Sequence, residues 1–401
     1  MREKASDRKE ARAAAKADRL VIDINRKGRP DYILLAVTVI LVVFGVVMVY
    51  SASIYSAERT YGDKFFYMKK QILGAVLGGL AMLGTSRLHY EVYRKFQYVI
   101  LGVSFLLLAA VFIPGIGLEY YGARRWINLP GFTLQASEIA KFGFVIFAAC
   151  YMARYREKMS TFLGMLPVLA AGGGMCVLII LEPNMSITMC LALVMLIMLF
   201  AGGARIKHFL IIMIPVVAMV PVLIILEPYR MNRLMAFLNP WASPQEEGFQ
   251  LIQSFYSLGA GGWFGVGLFN SRQKYLFLPF SESDFIFSII GEEFGFIGCL
   301  IVISLFAVYI YRAVRIALRA PDRLSCYMAV GVAAVVAVQM AVNIAVVTGT
   351  IPPTGLPLPF ISAGSSSLIV FMAATGILLG ISRKSGGVLK NDKFIKLRRF
   401  L

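Results

Sequence analysis

Residues 228–296 read PYRMNRLMAFLNPWASPQEEGFQLIQSFYSLGAGGWFGVGLFNSRQKYLFLPFSESDFIFSIIGEEFGF. On either side of this stretch the chain is a succession of apolar runs joined by short basic turns. Here a long polar, glycine-rich segment interrupts that pattern and ends on a carboxylate, Asp284, at the mouth of the next apolar run. Irregular stretches longer than about 12–15 residues are usually functional or disordered. Trp241, Phe249, Phe255, Tyr256, Trp263 and Phe264 are too many aromatics for disorder. The stretch is therefore expected to be a folded working part.

Outward from it, composition decides the class. Of 401 residues 59% are hydrophobic and 15% charged, and the mean hydropathy of +0.74 belongs to an integral membrane protein. Counting runs near 20 apolar residues predicts an all-α polytopic bundle of ten transmembrane helices. They fall at roughly 33–53, 69–86, 96–114, 137–153, 162–181, 186–202, 208–227, 284–311, 326–348 and 361–381. An even number puts both ends of the chain on one side. Of the 40 Lys and Arg residues, 29 sit in the two tails and the alternate turns, which the positive-inside rule assigns to the cytoplasm. Residues 1–32 and 384–401 then read as basic cytoplasmic tails, 33–383 as the membrane domain, and 228–283 as a large extracytoplasmic loop. Residues 1–30 are charged throughout and lack the apolar core of a signal peptide. The formal net charge of +18 follows this membrane distribution, so nucleic acid is not an expected partner.

The remaining cations are Arg59, Lys64, Lys69, Lys70, Arg124, Arg125, Lys141, Arg230, Arg233, Arg272 and Lys274. Apart from Lys141 they lie on the outer side or at its boundary. Either they pair with nearby carboxylates or they serve an anionic partner, for which a lipid diphosphate suits arginine forks. Gly74 and Gly78 form a GxxxG pair expected to pack a helix closely. Gly259, Gly261, Gly262, Gly265 and Gly267 do not spell a dinucleotide fingerprint and are expected to allow sharp turns or close backbone approach. Pro352, Pro353, Pro357 and Pro359 shape a rigid outer connector. Five cysteines in or beside apolar runs imply neither a disulfide framework nor a metal-ligand spacing. His89 and His208 lie on the inner side, leaving no outer histidine for acid–base chemistry.

Two sets of charges enter membrane depth. Glu138 and Lys141, at i and i+3, share a helical face and are expected to pair, as a structural ion pair or in an outer polar pocket. Glu292 and Glu293 follow Asp284 by about two turns, with Glu292 nearer the Asp284 face. Asp284 itself, beside apolar FIFSII, reads either as a base with a raised pKa or as a helix N-cap.

Four ordered stretches resemble the SEDS proteins, the family of FtsW, RodA and SpoVE. They are GARRWI (122–127) with QASEIAK (135–141), LEPNMSI (181–187), the central segment, and TGTIPPTGLPLPFISAGSSSL (348–368). Ala136, Asn184, Ala363 and Ser365 depart from the family's usual residues, and Phe280 stands where relatives carry a glutamate that Glu282 could replace. SRQK (271–274) is more like the division-type FtsW and sporulation-type SpoVE than the elongation-type RodA.

The resemblance implies an inverting peptidoglycan glycosyltransferase that polymerises lipid II at the outer face of a bacterial inner membrane. It implies Asp284 as the catalytic base. Arg125, Arg230, Arg272 and Lys274 are candidate cations for the departing diphosphate, and Trp126 is a candidate to stack on sugar or guide lipid. Glu138 and Lys141 are the candidate polar pocket. Mg²⁺ or Mn²⁺ could assist, although the sequence shows no metal site. Expected partners are a class B penicillin-binding protein (the transpeptidase), other division proteins and membrane lipids. Septal synthesis is the first reading; elongation, sporulation, lipid II flipping and a non-enzymatic division scaffold are the alternatives.

Overall fold

The computed structural model describes residues 28–120, 123–129, 132–225, 228–275 and 277–385. Apart from residues 28–32 and 384–385, the two expected tails lie outside the described residues. The helices are α1 (Tyr32–Tyr61), α2 (Phe66–Arg87), α3 (Tyr90–Ala110), α4 (Ala136–Arg154), α5 (Phe162–Leu181), α6 (Met185–Ala201), α7 (Ile206–Ile225), α8 (Pro228–Leu238), α9 (Phe249–Gly261), α10 (Ile286–Leu318), α11 (Arg323–Val347) and α12 (Ser365–Ser385). A helix overlaps each of the ten expected spans. Among the described residues seven (α1, α3, α4, α5, α10, α11 and α12) are long and apolar enough to cross a membrane, and α6 is a shorter apolar helix.

Local chemistry sets the helix ends. Asp31 caps α1 by accepting from the Leu34 amide at 3.0 Å, and Gly62 ends it in the left-handed region at φ 68°. Asp322 caps α11 in the same way through Ser325. Asn184, one of the departures from the family pattern, caps α6 through the Ile187 amide, a role in which asparagine and aspartate are equivalent. The GxxxG glycines do what their spacing predicts. Gly74 of α2 meets Ser365 of α12, and a Cβ at Gly78 would meet the Met372 sulfur at 2.6 Å. Helix α4 is the centre of the bundle, 83% buried along its apolar window against 22% for α3. Its side chains face α3, α5, α6, α11 and α12, so the burial leaves little lipid-facing surface.

The segment between α3 and α4 departs from the all-helical expectation locally. Strands β1 (Gly117–Tyr120), β2 (Ala123–Leu129) and β3 (Phe132–Gln135) form an antiparallel sheet in the order β1-β2-β3. In ARRWINL only Trp126 and Ile127 are typical strand formers, and pairing with β1 and β3 on both sides holds the run extended. The run is too short for a hydropathy window to separate from a loop.

Within the expected outer loop, α8 and α9 are helical and the glycine-rich segment after α9 packs on α10. Helix α10 is broken at Gly295, where φ is 67° and ψ −167°, a region essentially restricted to glycine. The break frees backbone groups that the incoming segment takes up. The amides of Val266 and Gly267 donate to the carbonyls of Glu292 and Glu293 at 2.9 and 3.0 Å. In return Phe296 and Ile297 donate to the carbonyls of Gly262 and Trp263 at 2.8 and 3.2 Å. A Cβ at Gly261 would collide with the Gly291 carbonyl, and one at Gly295 with the backbone of Gly265.

Gly295→Ala combines that collision with a forbidden backbone conformation. It is expected to destabilise the protein by at least about 1–3 kcal/mol. Thermal unfolding in detergent should show a lower midpoint than Gly173→Ala, a site inside helix α5 where an added Cβ would have nothing within 4 Å.

Candidate functional site

The carboxylate at the end of the loop is held by its backbone. Residues Phe280–Phe285 make a tight turn in which Ser283 and Phe285 both donate to the Phe280 carbonyl, and Phe280 itself sits at φ 55°. Three consecutive carbonyls are then tied to the segment before α12 and to α11. Glu282 accepts from the Ala363 amide at 2.8 Å, Ser283 from Ser362 Oγ at 2.6 Å, and Asp284 from Asn343 Nδ2 at 2.8 Å. The proline-bearing connector is thus a buttress for the Asp284 turn. The N-cap position of α10 is Phe285, with no side-chain cap bond, so the Asp284 carboxylate is not spent on capping. A Cβ at Gly355 would come within 3.2 Å of Asp284 Oδ2; glycine keeps that flank of the carboxylate open.

Two guanidinium groups bear on this carboxylate. Successive strand residues face opposite ways, so β2 turns Arg124 toward Glu119 at 3.1 Å and sends Arg125 the other way. Arg125 Nε donates to the Glu182 carbonyl at 3.3 Å and its Nη2 to the Pro183 carbonyl. Arg233 of α8 donates to the Pro353 carbonyl at 3.3 Å. Burial pushes the Asp284 carboxyl up to about 6; Arg125 and Arg233 pull it down, and Glu282 adds a small upward push. Glu282 is itself raised by burial. Glu182, at the end of α5, has both carboxylate oxygens buried without a hydrogen-bond partner among the described residues. Burial pushes it up to about 8 against the pull of Arg125, so at neutral pH it is largely a neutral carboxylic acid.

The pair on α4 connects to the same turn. Lys141 Nζ donates to Glu138 Oε1 at 2.9 Å and to Gln339 Oε1 at 2.5 Å, with both charged side chains fully buried. Ser367 Oγ donates to the other Glu138 oxygen at 3.4 Å. Gln339 passes the chain on through its Nε2 to the Pro357 carbonyl at 2.9 Å. One helical turn later on α11, Asn343 donates to Leu356 at 2.7 Å and to Asp284. Gln339 and Asn343 hold the adjacent carbonyls of Pro357 and Leu356, so the Glu138–Lys141 pair and the backbone of Asp284 are joined through that segment.

The other expected site residues have different settings. Lys274 is a correction to the expectation of a cation aimed at substrate. It is buried, and its ammonium lies 3.1 Å from Glu293 Oε1 and 3.4 Å from Ser51 Oγ. Glu292, expected on the Asp284 side, instead accepts from Ser271 Oγ at 2.6 Å, Ser257 Oγ at 3.1 Å and the Arg272 amide at 2.8 Å. These two glutamates clamp SRQK to the break in α10, leaving the Arg272 side chain exposed. Trp126 lies on β2, half-buried, in register with Gln135. Arg230 lies on α8, and its side chain is outside the described residues, as is Gly122 of GARRWI. Among the described residues no group of three or more His, Cys, Asp and Glu side chains could hold a metal ion. The donor set around Asp284, two carboxylates facing two guanidinium groups, does not fit a protein-held divalent cation.

Arg233, Glu182, Gln339, Asn343 and Ser362 were absent from the residues singled out by sequence reasoning as site candidates. Arg233 carried a signal as an outer cation, and Glu182 and Ser362 lie within the motif stretches 181–187 and 348–368; Gln339 and Asn343 carried none.

The match to known proteins covers nearly the whole chain. The cell cycle protein family that spans FtsW, RodA and SpoVE matches residues 31–386. Stage V sporulation protein E of Bacillus subtilis is 39% identical over 361 residues, 90% of this chain and 99% of that protein. A probable peptidoglycan glycosyltransferase FtsW from Trichlorobacter lovleyi is 42% identical over 353 residues, 88% of this chain and 93% of its own length. Among solved structures, a chain of a peptidoglycan synthase complex that coordinates polymerization and crosslinking superposes with a TM-score of 0.73 at 28% identity. That likeness covers 90% of this chain and 99% of the other.

Removing one partner of a dry ion pair leaves the other charge uncompensated. Lys141→Met is expected to cost about 3–5 kcal/mol, while Glu138→Gln combined with Lys141→Met recovers most of it. A double-mutant cycle of thermal stability in detergent checks this; additive losses would mean that the pair is wet.

Proposed function

This chain belongs to the FtsW/RodA/SpoVE family of cell cycle proteins, and from that premise we propose that it is an inverting peptidoglycan glycosyltransferase that polymerises lipid II, with Asp284 as its base. One observation carries the assignment: a half-buried carboxylate whose backbone is pinned on three sides and whose pKa is pushed up to about 6 beside Arg125 and Arg233. Such a group is ionised at neutral pH yet basic enough to accept a proton from a sugar hydroxyl.

Joining two lipid-linked disaccharides forms a glycosidic bond between an acceptor hydroxyl and the donor's anomeric carbon. Asp284 takes the hydroxyl proton as the oxygen attacks. The bond from the anomeric carbon to the lipid diphosphate breaks, and attack from the opposite face inverts that carbon. Negative charge grows on the leaving diphosphate, where guanidinium groups stabilise it most in a site shielded from water. Arg125 and Arg233 are best supported for that role because both already act on the Asp284 charge. Arg272, exposed on the clamped loop, is a further contact for phosphate or glycan. Glu182, held neutral, leaves the positive field of Arg125 available to the substrate. Glu138 and Lys141 position the turn through Gln339 and Asn343 and do not touch substrate. Mg²⁺ or Mn²⁺ enters only as a companion of the substrate diphosphate.

The protein is an integral protein of the bacterial cell membrane. The proposal adds that the Asp284 face is extracytoplasmic and both chain ends cytoplasmic, supported by the distribution of lysine and arginine. A class B penicillin-binding protein is the proposed partner, since the structural relative belongs to a synthase complex that couples polymerization to crosslinking. Septal synthesis is the proposed setting, supported by FtsW-named relatives such as one of 42% identity; a sporulation role rests on a relative of 39% identity. Cells depleted of the protein should form filaments, and a defect confined to spores would assign the sporulation branch instead.

Purified protein with its transpeptidase, given labelled lipid II, should make glycan polymer. Asp284→Asn should lower the rate by about 10²–10⁴-fold without lowering the unfolding midpoint; polymerisation at the unsubstituted rate would remove Asp284 as the base. Lipid translocation with no polymer from either form would assign a flippase. The rate should also depend on pH in a defined direction. A base with its pKa raised to about 6 is active above that value, so the rate should fall about tenfold per unit as pH drops below it. An acidic limb near 4 would mean that the carboxylate is not buried during turnover.

A further inference from the structure

At the end of the bundle away from Asp284, α1 begins, α10 and α12 finish, and a cavity of about 190 Å³ opens between them. Its walls include Arg29, Asp31, Arg312, Arg315, Arg319 and Ser382. On α10 the three arginines fall at i, i+3 and i+7, so they share one face. Asp31 is the one carboxylate in the wall, and it is used up. Arg312 grips it with Nε and Nη2, the Leu34 amide donates to it at 3.0 Å, and the Asp31 amide donates to Ser382 Oγ at 3.0 Å. That pairing cancels one arginine and fixes the floor, leaving Arg29, Arg315 and Arg319 as an uncompensated positive rim among the described residues.

From this geometry we infer that the cavity is a binding site for the headgroup of an anionic membrane phospholipid. The charge requires an anion, and guanidinium forks match phosphate oxygens. A lipid is favoured over a soluble anion by what lies beside the rim. Tyr311, Val314 and Leu318 of α10 are 60, 43 and 67% exposed, and Tyr32 and Ile33 of α1 are 60 and 51% exposed. These apolar side chains flank the arginine face and offer acyl chains a surface directly below a seated phosphate. Basic pockets between helices at the interfacial level are the general form of phospholipid recognition. The cavity is also too small for a folded protein segment.

The site is about 30 residues of α10 from Asp284, on the order of 40 Å at 1.5 Å per residue. It is therefore separate from the polymerisation chemistry, and its test does not depend on that reading. The probes are dioleoylphosphatidylglycerol, dioleoylphosphatidylcholine and sodium phosphate, added to the full-length protein in detergent and followed by native mass spectrometry. Arg315→Ala with Arg319→Ala is compared with Arg205→Ala with Lys207→Ala, which removes the same charge from an exposed turn elsewhere.

The unsubstituted protein and the Arg205/Lys207 variant should retain phosphatidylglycerol in preference to phosphatidylcholine. The Arg315/Arg319 variant should retain it on the order of tenfold more weakly, as two interfacial charges imply, with an unfolding midpoint that no longer rises with added phosphatidylglycerol. Equal retention by both variants would overturn the site. Sodium phosphate displacing the lipid at equal concentration would overturn the role of the acyl chains, and with it the lipid assignment. Arg315→Lys with Arg319→Lys guards against misfolding: it keeps the charge, and loss of all phosphatidylglycerol preference in a folded lysine variant would overturn electrostatic capture.

Discussion

The carbonyls of Glu292 and Glu293, freed where α10 breaks at Gly295, must find donors in a layer that offers no water. The amides of Val266 and Gly267 are what they find. That exchange explains why the stretch after α9 is so rich in glycine, since only backbone without a Cβ can lie this close to another helix. Trp263 and Phe264 stand exposed beside it, at 68 and 82%. Once the segment is docked, the side chains of the same two glutamates hold Ser271, the Arg272 amide and Lys274. The loop is thereby fastened at its midpoint, and its far end is delivered to the Asp284 turn.

A second chain of polar contacts secures that turn from below. Each member would be costly alone among apolar side chains, and each finds a partner in the next: Glu138 in Lys141, Lys141 in Gln339, and the amide nitrogens of Gln339 and Asn343 in the carbonyls of the proline-bearing segment, while Asn343 Oδ1 stays without a partner among the described residues. Networks of this kind raise the cost of any alternative arrangement more than they raise stability. Here the result is one position for the Asp284 backbone, with its carboxylate left free beside two arginines. Under the proposed mechanism, rigidity is concentrated at the turn where a proton is accepted, while the Arg272 side chain stays exposed.

Much of this was legible before any coordinates. Ten apolar runs marked where helices stand, and the excess of aromatic side chains marked 228–283 as folded. GxxxG spacing announced a close helix contact on α2, and the structure supplied α12 as the partner. Asp284 stood out as a carboxylate at the mouth of an apolar run. The sheet at 117–135 was not legible, because its strands are too short for periodicity to separate from a turn. Lys274 was misread for a related reason. Its outer position looked available, and its partner Glu293 lies 19 residues on, across a helix break that no hydropathy window shows.

Length of apolar runs, distribution of lysine and arginine, and position of glycine are local properties, so the sequence by itself determined the class, the expected side of the loop and the residue worth testing as a base. Which polar groups meet is a property of packing. Lys141 reaches Gln339 across 198 residues, and Arg125 reaches Glu182 across 57. Such pairings depend on which helices become neighbours and on which way a strand turns its side chains. Only the tertiary structure could decide that Lys274 is a clamp, that Arg233 bears on Asp284, and that three arginines at the other end of α10 surround a cavity.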